Sequence, residues 1–141
     1  MKTLIVFISV LFTLIMLTAC NDENSSSPSL SDTYLYKSYD STGSLVAEGE
    51  FTIHHNESGE FTGRWNFQRR GSHSDCGPQF GSGNLVGSID NNKMWINLNP
   101  DYADNNCYLY GNRHRNIYSG EWQWATFTGI TNKGPFIATL K

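Results

Sequence analysis

From residue 33 onward the chain alternates between bulky apolar and polar positions. In 60–68, Phe61, Gly63, Trp65 and Phe67 share one phase, and Thr62, Arg64, Asn66 and Gln68 share the other. In 45–55, Leu45, Ala47, Gly49, Phe51 and Ile53 oppose Glu48, Glu50 and Thr52. In 93–99, Met94, Ile96 and Leu98 oppose Lys93, Asn97 and Asn99; in 117–124, Tyr118, Gly120, Trp122 and Trp124 oppose Ser119, Glu121 and Gln123. Successive side chains of an extended strand point to opposite faces, so a two-residue period predicts strands with one dry and one wet face. Such strands build antiparallel sheets. Eight segments qualify: 33–40, 44–55, 60–70, 82–89, 93–99, 106–112, 117–127 and 134–141. Turn chemistry at Ser41-Thr42-Gly43, Asn56-Glu57-Ser58-Gly59, Asp90-Asn91-Asn92 and Thr131-Asn132-Lys133-Gly134 predicts hairpins, while 71–81 and 100–105 read as longer loops. No segment holds a helical period. An all-β, antiparallel, up-and-down eight-stranded barrel accounts for this order and removes exposed edges by closing; a two-sheet β-sandwich is the alternative.

Gly49, Gly63, Gly87, Gly111 and Gly120 fall inside strands on the inward phase. Interior strand glycines weaken a flat sheet, but they serve where a small barrel bends or a neighbour's large side chain needs room. The resulting mix of very large and very small inward residues fits a packed interior as well as a ligand cavity. A short repeat is also present: Thr62-Gly63-Arg64-Trp65 matches Ser119-Gly120-Glu121-Trp122 in pattern. Gly-x-Trp on a strand resembles a signature of the lipocalin and avidin barrels, where it lies on the first strand; here the copies fall on the third and seventh. The run from Gly83-Asn84-Leu85-Val86-Gly87 through residues 117–122 to Gly134-Pro135-Phe136-Ile137-Ala138 is similar to lipocalin-like bacterial lipoproteins. That resemblance covers about sixty residues. It implies a fold and names no ligand.

The first 32 residues of the chain have a different character. Met1-Lys2-Thr3 gives a basic start, residues 4–17 are almost wholly apolar, and Leu17-Thr18-Ala19-Cys20 follows. This layout predicts a secretory signal over 1–19. The apolar run is shorter than the ~20 residues of a membrane span. Leu17-Thr18-Ala19-Cys20 resembles the lipobox of bacterial lipoproteins. It implies cleavage before Cys20, attachment of diacylglycerol and a palmitate-type acyl chain to that residue, and a membrane anchor. A plain signal peptide with an incidental Cys is the competing reading. Residues 20–32 then form a Ser-rich tether, and 33–141 the barrel domain. Asn21, in place of Asp, favours the outer membrane by similarity to envelope sorting signals, leaving periplasmic and surface-facing placements open.

The chain has 141 residues and a formal net charge of −3, with no basic stripe of the kind nucleic-acid binding uses. Three cysteines would leave an odd thiol in an oxidising compartment. With Cys20 lipidated, Cys76 and Cys107 remain as an expected disulfide, the alternative being two buried thiols.

Sequence offers little for catalysis. His54 and His55 are strand neighbours and point to opposite faces, while His73 and His114 lie in loops; no spacing suits a metal. Ser72-His73-Ser74-Asp75 holds the letters of a hydrolase triad, but triads are assembled from distant segments. Asp101, Asp104 and Asn105 miss calcium-loop spacing, and Arg113-His114-Arg115 marks a basic hairpin tip. No catalytic residue, metal or cofactor is assigned. Trp65, Trp122 and Trp124 are the candidate ligand-binding residues, since an indole offers a broad apolar face and one polar donor; core packing is the competing reading. Trp95, Tyr108 and Tyr110 fall on the outward phase, as a protein- or membrane-contact strip would. The expectation is a non-catalytic binding module for a small apolar or amphipathic ligand, held in the interior or at the mouth. The alternative is an envelope interaction lipoprotein with a solid barrel, contacting another protein through its outer face.

Overall fold

A computed structural model describes residues 30–71 and 76–141. The signal segment, Cys20, the tether up to residue 29 and the loop 72–75 lie outside the described residues. Eight strands follow one another: β1 (Ser31–Tyr39), β2 (Leu45–His55), β3 (Glu60–Arg69), β4 (Gly81–Asp90), β5 (Lys93–Asn97), β6 (Asn106–His114), β7 (Ile117–Thr126) and β8 (Gly129–Leu140). Each pairs antiparallel with the next, and β8 returns to β1, so the sheet is a closed up-and-down barrel. The open sandwich is thereby excluded.

Inward positions alternate along every ladder, and large residues lie over small ones. Gly49 sits between Tyr36 on β1 and Phe67 on β3, and those two rings stack across it at 4.3 Å and 12°. Gly87 lies between Phe61 and Ile96, and a Cβ there would meet the Phe61 ring at 2.4 Å. Tyr34 stacks on Phe51 at 5.0 Å and Tyr118 packs edge-on to Phe136 at 4.7 Å. These residues, with Ile53, Leu85, Ile96, Leu98, Leu109 and Trp122, fill the interior and are almost fully buried. Some buried polar handles are tied down, whereas the Tyr34 hydroxyl, Ser38 Oγ and Asn106 Oδ1 are buried with no hydrogen-bond partner among the described residues. The Tyr118 hydroxyl lies between the Met94 and Leu109 carbonyls at 3.0 and 2.9 Å.

The two Gly-x-Trp copies, on β3 and β7, stand across the barrel from each other, since three strands lie between them on either side of the ring of eight. Both glycines take the neighbouring strand's backbone where a side chain would sit: a Cβ on Gly63 would lie 1.9 Å from the Thr52 carbonyl oxygen, and one on Gly120 2.0 Å from that of Tyr110. Both tryptophans donate to backbone carbonyls, Trp65 to Leu98 at 2.6 Å and Trp122 to Tyr39 at 2.8 Å.

One sequence expectation is corrected. The last hairpin turns at 127–128, not at Thr131-Asn132-Lys133-Gly134. Asn132, Lys133 and Gly134 instead pair with Trp124, Gln123 and Trp122. Gly129, with φ of 107°, supplies the turn, and the Asp104 carboxylate accepts the Phe127 N–H at 2.8 Å. No S–S bond is seen between Cys76 and Cys107, and both residues are buried. Cys107 packs within the hydrophobic core, where burial pushes its thiol pKa far up, with Cys76 nearby adding to the effect.

Candidate functional site

Strand direction divides the barrel into two ends. The chain enters at Leu30 beside the hairpins 56–59, 91–92 and 115–116. At this end Asp32 accepts from His55 at 3.2 Å and pairs with Arg113 at 3.6 Å. Arg113 is thus an end tie, whereas His114 and Arg115 remain exposed. His54 is exposed and His55 half-buried, as expected of strand neighbours. Nearby, burial raises the Tyr34 phenol pKa, while the Arg113 cation draws it down.

The opposite end carries the long connections. Segment 76–80 folds over the interior, and Gln79, fully buried, plugs it. The Tyr36 hydroxyl donates to Gln79 Oε1, and Gln79 Nε2 donates to the Cys76 carbonyl at 2.9 Å. Burial pushes the Tyr36 phenol well above its ordinary pKa, so it stays a neutral donor. Among the described residues, the interior is filled by side chains and covered by Gln79.

A cleft of about 530 Å³ opens beside this plug, between the starts of β4 and β6 and the loop 98–105. Small-molecule sites span about 300–1,000 Å³. Trp65 forms part of the wall at the end of its buried side chain, and Gly83 leaves room for its indole. Trp124 lines the rim and is only half-buried. Its indole N–H donates to Asn105 Oδ1 at 2.6 Å, and Gly77 packs against its ring, where a Cβ would come within 2.8 Å. Phe80 and Tyr102 add two more exposed rings; the Arg69 guanidinium lies 5.5 Å from the Phe80 centroid. Polar groups stand between the rings. Asn84 Nδ2 donates to the Asp101 carboxylate at 3.2 Å, and Asn99 Nδ2 to the Asn105 carbonyl at 3.0 Å. Arg64 and Ser82 complete the opposite wall.

Of the three candidate tryptophans, the structure brings Trp65 and Trp124 together at the cleft and leaves Trp122 in the core, 0% exposed. Sequence reasoning missed Phe80, Asn84, Asn99 and Tyr102, and saw in Asp101 and Asn105 only a loop without calcium spacing. Asp104 holds that loop to the β7–β8 turn and to the Asn105 N–H, which keeps the cleft wall in place. Among the described residues, no three His, Cys, Asp or Glu side chains converge as a metal site would need. Ser72-His73-Ser74-Asp75 lies outside the described residues.

On the outer wall, Trp95 and Tyr110 face each other across the β5–β6 ladder, 38% and 44% exposed. Tyr108 packs against both rings, at 6.3 and 5.9 Å. The expected aromatic strip is therefore present. Comparison with family models, with curated proteins and with solved structures finds no match.

Proposed function

We propose that this protein is an exported, lipid-anchored, non-catalytic binding module that holds a small amphipathic ligand in the mouth cleft. The observation that carries this reading is the cleft itself: about 530 Å³, walled by held aromatic rings and fixed amide groups, at the barrel end away from Leu30. The packed interior directs the ligand to the rim. The anchor rests on Leu17-Thr18-Ala19-Cys20, which resembles a lipobox. The described chain enters the barrel at Leu30, at the far end from the cleft. By the same similarity the membrane is the bacterial outer membrane.

Two measurements test the two halves. Metabolic labelling with an alkyne fatty acid marks the wild-type chain and not Cys20→Ala; an unlabelled wild type overturns the anchor. Titration of the full chain with a small-molecule library shifts tryptophan emission, and Trp124→Phe abolishes the shift. A chain that responds to nothing, and carries no ligand mass in native mass spectrometry, overturns the binding module.

The exposed Trp95–Tyr108–Tyr110 strip favours a second reading, an envelope protein-interaction lipoprotein. A photo-crosslinker at Tyr110 yields one discrete adduct in cells if the strip is covered by a protein partner, and none if it is not.

A further inference from the structure

We infer that the mouth cleft takes a neutral saccharide, an inference that rests on the cleft being the binding site. Its rings are backed on one side and therefore held. Gly77 packs against Trp124, whose only donor is spent on Asn105, and Arg69 lies over Phe80. What these rings offer a ligand is flat apolar surface. Tyr102, 66% exposed at the lip, adds a third such surface.

The polar groups between the rings both donate and accept. The amide nitrogens of Asn84 and Asn99 each spend one N–H, on Asp101 and the Asn105 carbonyl, and keep another, and Arg64 and Ser82 add donors. The amide oxygens and the Asp101 carboxylate, which has lone pairs to spare, are left to accept from a ligand. A ligand that suits them carries many O–H groups and a flat face of C–H groups. A pyranose has both: C–H bonds on its faces stack on rings, and adjacent hydroxyls donate to a carboxylate or to neighbouring amide oxygens. An acyl chain has neither, and would strand several polar groups away from water, each at a penalty. Charge decides between neutral and acidic sugars. The lining carries one cation, Arg64, and one anion, Asp101, so it offers a charged ligand no net attraction.

The test uses the full chain on an array of neutral and acidic oligosaccharides, with hits measured by isothermal titration calorimetry. Neutral glycans are the expected hits. Tyr102→Ala and Asp101→Asn each weaken binding about tenfold, the scale of one aromatic or charge-assisted contact, while Leu35→Ala on the outer wall leaves it unchanged. Hits confined to acidic glycans and lost in Arg64→Ala overturn neutrality. A silent array overturns the saccharide. If, with the array silent, the environment-sensitive lipid probe laurdan still binds and loses affinity in Tyr102→Ala, the cleft remains the binding site and only the ligand class is wrong. If neither binds, the binding module falls with it.

Discussion

The carbonyl of Thr52 occupies the space that a side chain on Gly63 would need, and Gly63→Ala measures how much the barrel depends on that approach. The new Cβ would stand 1.9 Å from the Thr52 oxygen and 3.1 Å from the Ile53 Cα, and both are backbone atoms. Reaching ordinary contact requires β2 and β3 to part by about 1.5 Å, roughly a third of the normal strand spacing. A gap of that size disrupts the two nearest ladder hydrogen bonds, worth about 0.5–1.5 kcal/mol each. Strain passed into the packed interior adds about 1–3 kcal/mol. The entropy alanine removes from the unfolded chain returns only about 0.4–1 kcal/mol. The net loss is about 1–5.5 kcal/mol, a sizeable share of the roughly 5–15 kcal/mol that holds a domain of this size. At about 4 °C per kcal/mol, the melting temperature falls by roughly 4–22 °C. Gly43→Ala is the control: nothing lies within 4 Å of its Cβ position, so its φ of 88° leaves only backbone strain of about 1–2 kcal/mol. Thermal and urea melts of the full chain, followed by far-ultraviolet circular dichroism, compare the two. Gly63→Ala melting within about 3 °C of wild type would refute the claim that β2 presses on β3 at this point.

Other consequences follow from single contacts. Trp122→Phe keeps a ring in the core but strands the Tyr39 carbonyl, costing about 1–3 kcal/mol in urea unfolding; an unchanged midpoint would mean that the 2.8 Å bond contributes nothing. Asp40 accepts hydrogen bonds from the Thr42 hydroxyl and from the Thr42 and Ser44 amides, which hold its carboxyl below the usual carboxylate range. A depressed folded value means that the stabilisation is complete above the ordinary aspartate pKa of about 3.9 and fades as pH falls through the lower folded value. Carbon-detected NMR titration of Asp40 reads this directly, and an ordinary pKa would rule it out.

The two-residue period made the fold legible because nearly every strand has one buried and one wet face, and Phe61, Trp65 and Phe67 on β3 show it without interruption. Ends were less legible. Phe127 and Thr128 carry β propensity, and Asn132-Lys133-Gly134 carries turn chemistry, yet the chain does the reverse. The decisive cause is distant: Gly134 makes room beside the Trp122 indole, where a Cβ would meet its Nε1 at 3.1 Å, and Asp104 captures the Phe127 N–H. Trp122 and Trp124 share a face, so periodicity ranked them equally. Depth along the barrel separates them, since two residues carry the chain about 6.5–7 Å towards the rim. Most of the cleft's other side chains come from 98–105 and 77–84, which pack together through contacts that no local pattern encodes.

The two Gly-x-Trp copies show where the site comes from. Each glycine takes a neighbouring carbonyl, and each indole N–H anchors to a backbone oxygen, so as structural devices the copies are equivalent. Their surroundings differ. Above Trp122, the connection from β1 to β2 is a tight turn over 40–44, closed on itself by the Asp40 carboxylate. Above Trp65, the connection from β5 to β6 runs through 98–105, long enough to carry Asn99, Asp101, Tyr102 and Asn105 outward as a wall. The same motif therefore ends in sealed core on one side and in a cleft on the other, and loop length decides which. Replacing 99–104 with a two-residue turn should consequently remove the cleft and its ligand while leaving the barrel folded. A shortened chain that still bound would move the site elsewhere.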